Sequence, residues 1–414
     1  MQTQLVRDAL GVDRPLKYKT VLPKQTHLVR KIHQFFLRDD VTRATAGKKE
    51  TVTHKKQKVQ KRFLLDSMRN LYKAFLKENS GIKCHYNYFA KHGPFFVQAP
   101  AVDGRDTCLC KLHANISYVV NSLHYNKVIM QKDTNAILET IVCTVDAESC
   151  MKGVCSKCKT RGIVYEKNNR GRIVPLRQWV RKSEVVEKVG KKIKISKNVP
   201  VTENHTIQEV IQKFENELMN FRTHVYNVRH QYKAYRQCID GITGTEVALH
   251  IDFSENYACK YHSEVQSHRF GSLSSNQNHG PSAIWAHLHP ILSEVKNKHP
   301  VVTTVHFFSD GPATQYKQKI NFYLMANRFF ENYEFRKISW NFFESGHGKG
   351  AADGVGGTLK RQADAIVARG ADIADAYEFF LHFKMSAKLS CLYTPEMNYA
   401  SSLDVYRKSW NIKL

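Results

Sequence analysis

Apolar positions follow helical spacing through most of the first 240 residues and strand-like runs beyond them. The segment THLVRKIHQFFLRDDV (26–41) predicts a short helix. KRFLLDSMRNLYKAFLKE (61–78) predicts an amphipathic one, with Leu64, Met68, Leu71, Phe75 and Leu76 on one face. A short helix is expected through CHYNYFAKHG (84–93), before Gly93-Pro94. Between the first two helices, ATAGKKETVTHKKQKVQKR (44–62) reads as an exposed connector. The helices with their basic flanks fit either a helix-turn-helix-like element or a small packing unit. GRIVPLRQWV (171–180) predicts a strand, and RKSEVVEKVGKKIKISKNVP (181–200) a strand pair or a hinge. The longest helix is expected over 205–236, with Ile207, Val210, Ile211, Phe214, Leu218, Phe221, Val225 and Val228 in one stripe.

From residue 243 the pattern becomes β, then α/β. VALHIDF (247–253) alternates, setting Ala248, His250 and Asp252 on the face opposite Val247, Leu249, Ile251 and Phe253. SEVQSHRFGSLSSN (263–276) fits a second strand and a turn, and IWAHLHPILSEVKNKHP (284–300) reads as mainly helical or mixed. VVTTVHFFSD (301–310) is the continuous apolar run of a strand covered on both faces, stopped by Gly311-Pro312. A helix over 315–333 and a strand over 335–344 follow. The glycine-rich stretch GHGKGAADGVGG (346–357) reads as a loop leading into a helix over 358–370, and a last helix is expected over 372–384.

Charge divides the chain at about the same place. Residues 1–200 hold 40 Lys and Arg against 16 Asp and Glu, so +24 of the net +26 lies there. A basic front suits a polyanion, and a near-neutral back suits a fold built around a site. No apolar run is long enough to span a bilayer, and MQTQLVRDALGVDRP lacks the apolar core of a signal peptide. The expectation is an intracellular chain without a membrane role. The basic run HKKQKVQKR (54–62) points to the nucleus.

Seven of the ten cysteines lie between residues 84 and 158. Clustering of this kind in an intracellular chain favours metal over disulfides. Cys108, Cys110, His113, Cys143, Cys150, Cys155 and Cys158 are candidate ligands of structural Zn²⁺. The Cys155-x-x-Cys158 turn presents two thiolates to a tetrahedral ion. Seven ligands fill one site with three to spare. Cys84, His85, His92 or His124 are candidates to complete a second site, and the grouping is open.

Three acids follow strand-like runs: Asp252, Asp310, and then Asp353 or Glu344. Carboxylates that converge suit hard cations, Mg²⁺ or Mn²⁺, in phosphoryl transfer. Their order matches an RNase H-like architecture, whose last acid stands on or before a late helix. Asp353 is the preferred third acid and Glu344 the second choice. His347 is a candidate to orient a phosphate, with Lys349, Lys360 and Arg361 as backbone contacts.

DFSENY, SDGPATQYK and GHGKGAADGVGGTLKR resemble the catalytic blocks of RNase H-like transposases and of transposon-derived animal proteins, over about residues 245–370. The cysteine region resembles the zinc-bearing segment of such proteins. The resemblance implies Asp252, Asp310 and Asp353 or Glu344 as metal ligands. The expected architecture is α/β: an RNase H-like catalytic core preceded by a basic helical and zinc-binding N-terminal region. Its expected parts are a basic helical region (1–100), a zinc region (101–165), a connector with the long helix (166–240), the catalytic domain (241–385) and a C-terminal extension (386–414). The expected activity is cleavage and joining of DNA strands. Two alternatives are a regulator that binds DNA through the same front with an inert back, and a structure-directed nuclease that joins nothing. DNA is the expected partner, with self-association of the chain as a further one.

Overall fold

The computed structural model describes residues 27–384, apart from 46–49, 56, 100–109, 168, 189–190, 254–256, 264–279 and 349–350. The chain is mixed α/β, with small sheets set among helices.

The front unit runs α1 (His27–Phe36), β1 (Thr42–Ala44), β2 (Thr51–His54), β3 (Gln57–Gln60), β4 (Arg62–Leu64), α2 (Met68–Glu78), α3 (Tyr86–Lys91) and β5 (Val97–Gln98). Ile32, Phe35, Phe36, Leu71, Phe75 and Phe89 form its core, and the Phe rings meet largely edge-on or tilted. The segment expected as an exposed connector instead forms the β2–β3 hairpin, and its two ends, Ala44 and Arg62, pair in a small β1-β4-β5 sheet. The helix expected over 61–78 starts only at Met68. Ser67 caps it by accepting a hydrogen bond from the Asn70 N–H. Arg62, within the basic run, is taken up by Asp39 and by the Thr42 hydroxyl and carbonyl.

The middle unit holds α4 (Lys111–Tyr125), α5 (Thr134–Ile141), α6 (Glu148–Met151), β6 (Ile173–Lys188), β7 (Lys191–Thr206) and α7 (Ile207–Gly241). The strand expected over 171–180 and the strand pair or hinge expected over 181–200 together form a two-stranded antiparallel ribbon with 16 residues in each arm. Its root packs on α4, where the Asn115 side chain donates to the Trp179 carbonyl and accepts from its N–H. Helix α7 has 35 residues, about 50 Å of rise, and opens with a capping box between Thr206 and Glu209. Ile207, Val210, Phe214 and Phe221 bury its first half against α4–α6 and Val174 and Leu176 of the ribbon root.

The back unit holds β8 (Glu246–His250), α8 (Pro281–Lys298), β9 (Thr304–Ser309), α9 (Lys319–Tyr333), β10 (Lys337–Phe342), α10 (Ala351–Ala368) and α11 (Ala376–Phe383). β8, β9 and β10 form a parallel sheet with β9 in the centre. Helices α8 and α9 bury Ile284, Leu288, Leu292 and Leu324 against Val305 and Phe307 of β9. The other flank of the sheet meets the second half of α7, where Tyr232 packs with Phe308 and Phe343. The strand expected over 263–276 lies largely outside the described residues. The glycine-rich stretch expected to be a loop is already helical from Ala351, so α10 begins seven residues earlier than anticipated. Gly354 faces β1, where a Cβ on it would make ordinary contact with the Ala44 methyl at 3.8 Å.

Candidate metal centres and an acidic strand edge

Cys143, Cys150, Cys155 and Cys158 converge, with their four sulfurs within 4.8 Å of one another. The local chain explains the convergence. Two successive N–H groups, of Val154 and Cys155, donate to the Ser149 carbonyl, while the Cys158 and Lys159 N–H groups both point at the Cys155 carbonyl. Gly153 sits between the two halves at φ +74°, a conformation only glycine takes without strain. A Cβ there would also come within 2.6 Å of the Met219 methyl on α7. Arg222 of α7, itself buried, donates to the Cys150 carbonyl. Backbone and thiol hydrogen bonds, the Lys157 N–H foremost, lower the Cys155 thiol to about 7. This four-cysteine cluster suits zinc.

A second convergence joins distant parts of the chain. Cys110 precedes α4, His113 lies in its first turn, His224 is on α7, and His347 follows β10; their ligand atoms lie within 4.8 Å of one another. Cys110 Sγ is 3.3 Å from His224 Nε2, which is 3.2 Å from His347 Nε2. The three imidazole centroids form a triangle with 5.0 Å sides. Burial pushes the Cys110 thiol up, yet hydrogen bonds from the three histidines outweigh it and bring the thiol down to about 3. Burial also opposes the charged form of His224, but Cys110 and Glu344 prevail and raise it. Glu344 accepts from His224 Nδ1 at 3.2 Å and from the Asn227 amide at 3.1 Å.

The seven expected zinc ligands therefore separate. Four make one cluster, and Cys110 and His113 make the other, while Cys108 lies outside the described residues. Neither His224 nor His347 was among the expected completing ligands. Among those that were, Cys84 leans on its neighbour's carbonyl in the front unit, and His92 is stacked on Tyr88. His224 carries no spacing signal. Its one trace in the sequence is a polar residue beside the buried Phe221 and Val225 of a helix stripe.

Two of the expected acids, Asp252 and Asp310, follow neighbouring strands of the sheet. The Ile251 N–H donates to the Phe308 carbonyl at 2.9 Å, so pairing runs one residue past β8. The register that sets His250 beside Phe308 carries Asp252 to the level of Asp310, on adjacent strands whose axes lie about 4.8 Å apart. The hydroxyl of Tyr316 is held well above its usual range, first by burial and then by both aspartates. Asp353 stands in the first turn of α10. Its charge reaches His250, the residue two before Asp252, although burial dominates there and lowers the histidine. Gly348 closes over this acidic strand edge: a Cβ on it would lie 2.5 Å from Asp310 Cβ.

Several expected roles change. Glu344 is engaged by His224 and Asn227 of α7. His347 turns toward Cys110 and His224. Lys360 is buried on α10, and Arg361 is spent on Gln60 of β3 and on Thr358, because α10 packs against the front unit. Lys349 lies outside the described residues. No helix among the described residues is long and apolar enough to cross a membrane.

Two family models match parts of the chain, both described as domains of unknown function: DUF8699 over residues 23–101 and DUF8701 over residues 264–412. The first coincides with the front unit. The second contains Asp310, Glu344, His347 and Asp353 but not Asp252, and the four-cysteine cluster and α7 lie between the two. No curated protein and no solved structure matches the chain significantly.

Proposed function

We propose that the chain is a DNA transposase or a nuclease derived from one, with β8–α11 as an RNase H-like catalytic core. One observation carries the reading: Asp252 and Asp310 each lie two positions beyond the paired residues His250 and Phe308 of adjacent parallel strands, and Asp353 stands in the first turn of the helix that follows the third strand. Carboxylate oxygens are the donors that Mg²⁺ or Mn²⁺ takes, and a divalent ion offsets the mutual repulsion of carboxylates brought close together. The raised Tyr316 hydroxyl is consistent with two carboxylates close by. Divalent ions at such a site polarise a phosphodiester and activate the attacking water or 3′-hydroxyl. Asp252, Asp310 and Asp353 supply the ligands; Glu344 is left out because His224 and Asn227 engage it.

The β6–β7 ribbon supports DNA as the substrate. Between Arg181 and Lys197 it carries seven Lys and Arg against two Glu. Lys182 stands directly opposite Lys197, and Lys188 opposite Lys191. Lys197 is paired with Glu184 at 2.8 Å, and the remaining excess of positive charge along the ribbon suits a polyanion. Arg181 to Val185 are all exposed, leaving both faces of that stretch open. A two-stranded ribbon fits the major groove. A protein acting on chromosomal DNA in this way would work in the nucleus.

The test is cleavage of labelled duplex DNA with Mg²⁺ or Mn²⁺. Asp252→Asn, Asp310→Asn and Asp353→Asn should each lower the rate by about 100-fold or more, with DNA binding in chelator unchanged. Cleavage that survives Asp252→Asn and Asp310→Asn overturns the mechanism. A wild-type chain that binds DNA and never cuts it is instead the regulator with an inert core.

A further inference from the structure

We propose that Cys110, His113, His224 and His347 hold a zinc ion, and that this ion locks the segment after β10 onto the acidic edge. The metal site stands by itself, whereas its consequence for Asp310 rests on the nuclease reading above.

The dimensions argue for zinc. Around a tetrahedral ion with Zn–N of about 2.0–2.1 Å and Zn–S of about 2.3 Å, neighbouring nitrogens lie about 3.4 Å apart and nitrogen and sulfur about 3.6 Å. The His224–His347 separation of 3.2 Å and the Cys110–His224 separation of 3.3 Å are a few tenths shorter. Three imidazoles bound to one such ion set their ring centroids about 5 Å apart, as the regular 5.0 Å triangle does.

The protons argue the same way. With Glu344 accepting from His224 Nδ1–H, the neutral ring carries its lone pair on Nε2, the form in which a metal ion takes it. That lone pair faces the Cys110 sulfur and the Nε2 of His347. A carboxylate behind a histidine is the usual way to fix the tautomer and raise the basicity of a metal ligand. Asn227 holds the other oxygen of Glu344 at 3.1 Å, so the carboxylate is itself oriented. Three imidazoles and one thiolate suit zinc, and four protein ligands leave no open position, so the site is structural.

The chain around His347 is built to reach this site. The His347 N–H closes a turn on the Glu344 carbonyl at 2.9 Å. Gly346 takes φ +78° within that turn, and a Cβ there would come within 3.3 Å of the Cys110 Cα and Cβ. Tyr232 donates to the His347 carbonyl at 2.6 Å. One residue later Gly348 lies over Asp310. An ion on His347 therefore fixes the backbone that roofs the acidic edge, with α4 and α7 as its fixed wall.

Zinc content of the full chain, purified under reducing conditions, tests the proposal. Two zinc ions per chain are expected, one for each cluster. The double variant Cys155→Ser/Cys158→Ser should retain one, and His347→Ala and His224→Gln should each lose the other. His347→Cys should restore the second ion, which separates ligand loss from misfolding. Cobalt replacement supplies an independent readout. The ion lost in His347→Ala should contribute the absorption of one thiolate, and that lost in the double-cysteine variant the absorption of four. Unchanged zinc in both His347→Ala and His224→Gln overturns the site, as does a wild-type chain whose zinc vanishes wholly in the double-cysteine variant. Cleavage by His347→Ala should fall at least 10-fold while Asp252→Asn keeps both zinc ions. Zinc lost with cleavage intact removes the lock and keeps the site. Zinc lost in a chain whose wild type never cuts keeps the site and removes the nuclease reading.

Discussion

At the scale of single residues, packing singles out Gly348. A Cβ placed there would meet Asp310 Cβ at 2.5 Å and its Cα at 3.1 Å, and neither the backbone nor a Cβ can swing away as a side-chain tip could. Gly348→Ala should destabilise the chain by about 1–3 kcal/mol, the usual cost of overpacking, and should displace Asp310. Denaturant unfolding checks the first effect and divalent-ion binding the second. His250 sets a pH dependence beside it. Burial lowers its folded-state value below the ordinary 6.5, against the pull of Asp39 and Asp353. The unfolded chain then takes up the proton first, so stability is full above that ordinary value and declines as pH falls below it, by up to about 1.4 kcal/mol per pH unit. Unfolding followed from pH 7.5 to 5 should show this slope, and His250→Phe should flatten it.

Among the elements, the β6–β7 ribbon and α7 divide the work. The ribbon's root is apolar and held by Asn115, while its outer half carries like charges in opposed pairs. If those charges meet phosphates, each one removed should lower the salt slope of DNA binding by about one. The triple variant Lys182→Gln/Lys194→Gln/Lys197→Gln should therefore lower the slope by about three, with thermal stability unchanged or slightly raised. A slope that stays put moves the DNA contact elsewhere. The hydrophobic stripe made α7 readable in advance, but the stripe only says that one face is buried. It does not say that the first half faces the four-cysteine cluster and the second half a parallel sheet. α10 shows the opposite difficulty. Gly354, Gly356 and Gly357 each weigh against helix by about 1 kcal/mol, so local propensity reads a loop. Contact with β1 and β3 through Gly354 and Arg361 makes it a helix.

For the whole molecule, long-range ties hold the three units together. Arg236 on α7 pairs with Asp40 at 2.9 Å and lies 3.8 Å from Glu78, tying the front unit to the long helix. Arg222 ties the four-cysteine cluster to the same helix, and His224 ties it to the segment after β10. Period and composition sufficed for the parts that depend on neighbours along the chain. These include the amphipathic helices, the buried run of β9 and the Cys155-x-x-Cys158 turn, because each is decided within about a dozen residues. They also sufficed to bring Asp252 and Asp310 forward, since both end strand-like runs. Tertiary structure alone decided which ligands share a site. Cys110 and His347 are 237 positions apart, and no local rule relates residues that meet only after α7 has crossed the molecule. It also decided what the acids face. Glu344 and Asp353 look alike in sequence, but the first turns to a histidine on α7 and the second opens α10 near the edge that Asp252 and Asp310 share. A carboxylate takes its role from the partner within hydrogen-bonding reach, and only the folded chain supplies that partner.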